Sequence, residues 1–324
     1  MSGGSPSVLV IRLDAIGDAL ALTPMLAALR ERAIPADVLL GPANAGVFSA
    51  GAVRRAIVAR TIRQRSADRS NLAAVAALGE ELRGAAYSHV LVATEDPAGY
   101  RLARATGAPV RAGFTNLWGK PGKTLWSWRY VNVRVFRSAG LDSSAPHECE
   151  VLFRLARPIL GDAAVPTRDP SLLRPLVIDG EPARDERVAI QVTDKWERLG
   201  MSTAAVAELV ERVGAAYAVR LVAASHESSY ADRFAGLTGR VVERFAELAP
   251  WKDAIAGARA IVAPDSGALH VAGMVGTPVV GVFPPSRAYE LQAARWSPWA
   301  APYRIVRGDD EWPRAAAAAL AGLT

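Results

Sequence analysis

The chain has 324 residues, more than a single hydrophobic core usually holds, so we expect two domains. A hydrophobic content of 51% excludes a disordered chain, and a modest, dispersed net charge of +6 favours an anionic small molecule or membrane surface over nucleic acid. The chain has one cysteine, Cys149, which excludes an internal disulfide and indicates a reducing compartment. The four histidines and this cysteine show no zinc-like spacing, so we predict no metal site.

The first half of the chain alternates between buried-strand and helix patterns. Residues 117–129 interrupt this alternation as a long predicted surface loop with three tryptophans, and a helix at 147–160 closes the first domain. The predicted strands are 8–11, 37–40, 55–59, 87–93 and 110–114, and the predicted helices are 16–31, 71–83 and 99–105.

The second half repeats this alternation after a predicted linker at 161–181. Two such halves predict an α/β protein with parallel sheets, which bind ligands at the carboxyl ends of their strands. The uncharged run at 266–286 is broken by glycine and proline, so we predict no spanning helix there. The predicted strands are 188–192, 219–224, 241–242, 260–263, 279–283 and 303–307, and the predicted helices are 203–217, 248–258, 268–275 and 313–320.

The first polar motif, Arg12 to Leu20, follows the first strand directly. Gly17 permits a tight turn or a close ligand approach, and Asp18 falls in the first turn of the next helix. Asp18 is either a helix-capping residue or a general base, and Asp14 is an alternative in both roles. The motif has one glycine and therefore does not match a dinucleotide-binding fingerprint.

The second motif, Asp265-Ser266-Gly267, lies between a strand and the small-residue helix that contains His270. The N-terminus of such a helix offers unpaired N–H groups and a partial positive charge to a phosphate or sugar. The alternatives are a plain N-cap for Asp265 and Ser266 and a core position for His270.

The third motif is the segment Thr193-Asp194-Lys195-Trp196, which again follows a strand. Lys195 is either a phosphate ligand or a solvated loop lysine, and Trp196 is expected to pack at the cleft. Basic residues in the first half either bind an anionic acceptor or membrane or form a solvated face; we assign acceptor binding to Arg60, Arg63 and Lys120.

Together these motifs resemble glycosyltransferase family 9, the ADP-heptose:lipopolysaccharide heptosyltransferase family. Ile11-Arg12, Gly17-Asp18, Leu20 and Pro24 are similar to its N-terminal motif. Asp265-Ser266-Gly267, His270, Ala272, Gly276 and Pro278 are similar to its C-terminal motif, and His147-Glu148 resembles the end of its first domain.

The resemblance implies a GT-B fold, in which two Rossmann-like domains face each other across a cleft. It implies an acceptor-binding domain at 1–165, a nucleotide-sugar-binding domain at 166–310, and a terminal helix at 311–324 that packs back on the first domain. The reaction would be inverting and would need neither metal nor other cofactor.

Carried over by position, the resemblance makes Asp18 the base that deprotonates the acceptor hydroxyl. Thr193, Lys195, Asp265, Ser266, Gly267 and His270 would bind the donor. The expected protein is a cytoplasmic heptosyltransferase, peripheral to the inner membrane, that uses ADP-heptose and an anionic glycolipid or glycan. The alternatives are another nucleotide sugar or acceptor, a hydrolase or epimerase on the same frame, and a non-catalytic sugar-nucleotide-binding protein.

Overall fold

A computed structural model describes residues 6–138 and 146–324 and divides the chain into two compact units, Met1–Thr167 and Arg168–Thr324. The division lies close to the predicted boundary between residues 165 and 166. Each unit is an α/β domain with a parallel sheet, as the alternating pattern predicts. No described helix has the length and apolar character needed to cross a membrane.

The described residues of the first unit form a six-stranded parallel sheet in the order β3-β2-β1-β4-β5-β6. All five residues of the central strand β1 are buried, which explains its continuous apolar run. The strands are β1 (Val8–Arg12), β2 (Ala36–Leu40), β3 (Arg55–Val58), β4 (His89–Val92), β5 (Val110–Thr115) and β6 (Val133–Phe136).

Several helices of the first unit differ from the prediction. The helix predicted at 16–31 is two helices, the second with Pro24 in its first turn, and the loop predicted at 117–129 contains helix α5. The helix predicted at 147–160 is divided by a 3₁₀ turn at Arg154–Ala156. The helices are α1 (Ile16–Leu20), α2 (Thr23–Glu31), α3 (Arg69–Arg83), α4 (Pro97–Ala105), α5 (Pro121–Ser127), α6 (Glu148–Phe153) and α7 (Arg157–Leu160).

The second unit repeats this topology. Its sheet has the order β12-β11-β10-β7-β8-β9, which matches the order of the first sheet when its strands are numbered from β7. Its strands are β7 (Asp185–Gln191), β8 (Val219–Ala224), β9 (Glu243–Phe245), β10 (Ala258–Pro264), β11 (Val279–Phe283) and β12 (Tyr303–Arg307).

One helix of the second unit, α8, lies inside the predicted linker. It contacts α13, and its Leu173, Leu176 and Val177 are buried. The helices are α8 (Pro170–Val177), α9 (Lys195–Arg198), α10 (Thr203–Gly214), α11 (Ser228–Thr238), α12 (Leu248–Gly257), α13 (Gly267–Val275), α14 (Tyr289–Trp296) and α15 (Trp312–Ala321).

The terminal helix α15 packs within the second unit. It contacts α10, β11 and β12. Trp312, Ala316 and Leu320 are spaced four residues apart and join the core of this unit, where Trp312 stacks on the fully buried Trp196 with ring centroids 5.0 Å apart. The apolar stripe of α15 therefore completes the second core.

Replacing Trp312 with alanine should lower the free energy of unfolding by about 3–5 kcal/mol, because it leaves a cavity against Trp196. Urea unfolding of the full chain measures this change. The matched control is Trp118→Ala: Trp118 is 92% exposed, so we expect a change within about 0.5 kcal/mol. Equal effects of the two substitutions would contradict the placement of α15.

Candidate functional site

The polar motifs lie at one kind of position in both sheets. In the first sheet the strand order reverses between β1 and β4, and in the second between β7 and β10. Such a reversal opens a crevice outside the carboxyl ends of the two central strands, and ligands of doubly wound sheets bind there. Arg12 ends β1 in the first sheet, while Thr193 and Asp265 follow β7 and β10 in the second.

In the first unit, the buried Arg12 guanidinium holds two carboxylates. It donates to Asp18 Oδ1 at 2.7 Å and lies 3.4 Å from Asp14 Oδ2, and it also donates to the carbonyl of Ala93 beyond β4. Asp18 Oδ2 accepts from the Ala15 amide at 3.2 Å. Asp18 is therefore both a helix-capping residue and a fixed, partly exposed carboxylate.

Residues from two neighbouring loops hold the turn that carries these carboxylates. A Cβ at Gly41 would lie 2.5 Å from the Leu13 carbonyl oxygen, so only glycine allows this close approach. Gln64 donates to the same oxygen, and Asn44 Nδ2 donates to the Arg12 carbonyl at 3.2 Å. The positions of Asp14 and Asp18 thus depend on the loops after β2 and β3.

Asp14 and Asp18 sit in different electrostatic environments. Burial raises the pKa of Asp14 above its usual value, and the Asp18 and Asp96 carboxylates act in the same direction, whereas Arg12 and a hydrogen bond with Thr94 oppose it. A carboxylate with a raised pKa is a better proton acceptor near neutral pH. The structure therefore keeps both aspartates as candidate bases.

A cationic group surrounds Glu95, just beyond β4. The Glu95 carboxylate lies 3.5 Å from Lys120 Nζ, 3.2 Å from Lys123 Nζ and 3.5 Å from the Arg137 guanidinium. Burial raises the pKa of Glu95, but the three cations outweigh burial and lower it overall. The group has more positive than negative charge, a balance that suits an anionic ligand.

In the second unit, helix α13 begins directly at the end of β10. Its N-cap residue, Ser266, has extended backbone angles (φ −151°, ψ 174°), and its side chain makes no capping hydrogen bond. The Ser266 hydroxyl is buried and has no hydrogen-bond partner among the described residues. An unpaired buried hydroxyl costs free energy, so this one is poised to bind a ligand group.

His270, one turn into α13, faces the same segment. Its Nε2 lies 3.8 Å from Asp265 Oδ1, and its ring meets Trp296 of α14 edge-on, with centroids 5.6 Å apart. The histidine is buried, but these contacts hold it beside the start of α13.

The end of β7 is fixed by a residue that sequence analysis missed. The buried Glu227, beyond β8, accepts from Thr193 Oγ1 at 2.7 Å and from the Asp194 amide at 3.1 Å. Thr193 Oγ1 in turn accepts from the Lys195 amide at 3.1 Å. Because Glu227 lies in no recognisable motif, only the adjacency of β7 and β8 reveals it.

The side chains of Lys195 and its neighbour Trp196 lie in different surroundings. The half-buried Lys195 side chain forms no ion pair with the described residues, so its charge is available to a ligand. Trp196 was predicted at the cleft, but it is fully buried in the core and donates from Nε1 to the Gln191 carbonyl at 2.8 Å. Its size and its stacking on Trp312 explain this correction.

Part of the second unit matches a known protein family. A family model described as glycosyltransferase family 9 (heptosyltransferase) matches residues 203–319, so this part of the chain is similar to that family. A search of curated proteins finds no match.

Several solved structures have the same fold as this chain. The E. coli heptosyltransferase WaaC with ADP is 17% identical, with a TM-score of 0.72 over 98% of this chain and 100% of that one. E. coli ADP-heptose lipopolysaccharide heptosyltransferase II is 18% identical, with a TM-score of 0.71 over 98% of each chain. A family 9 glycosyltransferase from Veillonella parvula is 15% identical, with a TM-score of 0.71 over 95% of this chain and 87% of that one. The predicted GT-B fold class is confirmed.

The predicted donor residues follow two neighbouring strands, whereas the predicted acceptor residues are spread. Thr193 and Lys195 follow β7, next to the β10 end that carries the Asp265-to-His270 segment. Lys120 lies in the group around Glu95, but Arg63 pairs with Asp68 at 2.6 Å. Arg60 is exposed in the loop after β3.

The pair of His226 and Glu227 allows a test of the turn after β7. Glu227 lies 3.1 Å from His226 Nε2, and the hydrogen bond between them raises the pKa of His226. Burial raises the pKa of Glu227, but the hydrogen bonds from His226 and Thr193 outweigh burial, so the pKa of Glu227 is lowered overall. The pair stabilises the fold until the pH rises through the pKa of His226 or falls through that of Glu227.

Substituting Glu227→Gln should lower the pKa of His226 toward about 6.5, because the charged acceptor is lost. An NMR titration of the histidine ring protons measures this shift. His89, whose pKa is lowered by burial alone, is the internal control and should not move. An unchanged His226 titration would show that Glu227 does not hold this turn.

Proposed function

We propose that this protein is a glycosyltransferase that transfers a heptose from ADP-heptose to a lipopolysaccharide core or related anionic glycan, with inversion and without a metal. We further propose that it acts in the cytoplasm, peripheral to the inner membrane. The observation that carries the proposal is the buried, unpartnered Ser266 hydroxyl at the N-terminus of α13. The resemblance to family 9 supplies the identities of sugar and acceptor.

In this proposal the donor diphosphate occupies the N-terminus of α13. The free amides of the first turn and the Ser266 hydroxyl donate to phosphate oxygens. The helix end alone contributes about 0.3–2 kcal/mol, so the Lys195 charge is needed to stabilise the departing diphosphate. Glu227 orients the Thr193–Lys195 turn, and Asp265 with His270 holds the start of the helix.

The proposed reaction is a direct displacement. The acceptor hydroxyl oxygen bonds to the anomeric carbon while the bond from that carbon to the diphosphate oxygen breaks, and the hydroxyl proton passes to a carboxylate. We assign this base to Asp18, because Arg12 and the Ala15 amide fix its orientation and each carboxylate oxygen keeps a second lone pair. Asp14 shares Arg12 and is assigned as a positioning residue.

An anionic acceptor would be held on the first unit. Of the three predicted acceptor residues, Lys120 has the best support, because it lies beside Glu95 in a cationic group with Lys123 and Arg137. Arg60 is exposed and stays assigned to the acceptor. Arg63 keeps this assignment although it also pairs with Asp68, because that pair is exposed and worth little.

The substitution Asp18→Asn should lower kcat by about a hundredfold or more, because it removes the proton acceptor while keeping its shape. The measurement is the steady-state rate of ADP release from ADP-heptose with heptose-free lipopolysaccharide. ADP affinity should not change, because the donor site lies in the other unit. Asp14→Asn is the comparison, and we expect a loss of about tenfold or less; the reverse order would make Asp14 the base.

For the donor site, Ser266→Ala and Lys195→Ala should each weaken ADP binding about tenfold by calorimetry, since each loses a donor to a charged phosphate. Ser202→Ala is the matched control: Ser202 also precedes a helix, but its hydroxyl already accepts from the Ala205 amide at 3.2 Å. Unchanged ADP affinity in both site variants would refute the proposed diphosphate site. Tighter binding of UDP or GDP would indicate another donor.

A further inference from the structure

The segment after β5 exposes large apolar side chains that nothing in the proposed chemistry uses. We call Leu117, Trp118, Leu125, Trp128 and Phe136 the apolar face. Trp118 is 92% exposed and Leu125 is 64% exposed. Leu117 has a φ of 47°, a left-handed conformation that is unfavourable for a residue with a side chain, so the turn presents Leu117 and Trp118 at the expense of backbone strain.

Helix α5 within this segment turns only part of its apolar surface toward the core. Trp126 packs against the core of the first unit, whereas Leu125 is exposed. The other buried positions of α5 are polar: Thr124 Oγ1 donates to the Leu117 carbonyl at 3.1 Å, and Ser127 Oγ donates to the Thr124 carbonyl at 2.9 Å. The helix therefore leaves Leu125 on its outer side, next to the exposed turn before it.

Positive charge surrounds the apolar face. Residues 97–141 contain eight lysines and arginines and no aspartate or glutamate, and three of these cations pair with Glu95, just before the segment. Arg129 is exposed, and the Arg134 guanidinium lies 4.1 Å from the ring centroid of Trp128, which ties β6 to the end of α5. The apolar face and its cations form one surface.

We propose that this surface docks the protein on an anionic lipid bilayer. Tryptophan and leucine side chains enter the boundary between headgroups and acyl chains, and nearby lysines and arginines are attracted to anionic headgroups. Leu117 and Leu125 favour a bilayer over single-stranded nucleic acid, which binds by stacking bases on aromatic rings. The excess of these cations over Glu95 favours an anionic surface over an uncharged protein partner.

The inference deepens the proposed function, because it rests on an acceptor that is carried by lipid. Strand β5 ends at Thr115, so the apolar face begins at the same sheet edge that carries Asp14 and Asp18. Docking there would bring this edge of the first unit to the lipid surface. The assay below does not depend on transfer activity, so the two proposals fail separately.

The test is co-sedimentation of the full-length protein with vesicles of phosphatidylethanolamine and phosphatidylglycerol, compared with phosphatidylcholine alone. We expect binding to the anionic vesicles that weakens with added salt. The double substitution Trp118→Ser with Leu125→Ser should weaken this binding about tenfold or more, because two apolar side chains no longer leave water. The variant should still bind ADP, which verifies that it is folded.

The matched control is Val241→Ser with Leu237→Ser, whose parent side chains are 90% and 63% exposed in the second unit. This control should bind vesicles like the unaltered protein. Absent vesicle binding, equal binding of both double variants, or stronger binding to a single-stranded oligonucleotide than to vesicles would overturn the inference. If the unaltered protein binds vesicles but does not bind ADP, only the proposed function is overturned.

Discussion

The reversal of strand order at the centre of each sheet is the constraint on which both parts of the site depend. Parallel strands end at one edge, and the reversal leaves a crevice between the loops that follow the two central strands. The chain meets this constraint twice, with Arg12 and its two aspartates in the first unit and with α13 and the Thr193–Lys195 turn in the second. The same geometry thus provides a carboxylate site and an anion site.

The two sites differ in how their polar groups are satisfied. In the first, the buried Arg12 side chain contacts Asp14, Asp18 and the Ala93 carbonyl, so one cation holds two carboxylates within the unit. In the second, the Ser266 hydroxyl remains unpaired in the described structure and the Lys195 side chain has no acidic partner there. This difference fits a base that is held in place and a donor site that is completed only by its ligand.

The sequence predicted the strands and the small-residue helix well because buried parallel strands are continuous apolar runs and because Gly276, with a φ of 84°, ends α13. It failed where tertiary contacts decide. The local sequence places Trp196 in a loop, and only its stacking on the distant Trp312 buries it. Glu227 contacts the turn after β7 only because β8 lies beside β7. Helix α5 was not predicted because it is short and its fully buried positions are threonine and serine.

We propose that the start of α13 holds the diphosphate of a nucleotide sugar. The direct test is a crystal structure of the protein with ADP. We expect phosphate oxygens within about 3.2 Å of Ser266 Oγ and of the first free amides of α13, with Lys195 Nζ in contact. ADP bound elsewhere, with the Ser266 hydroxyl still unpaired, would contradict this proposal.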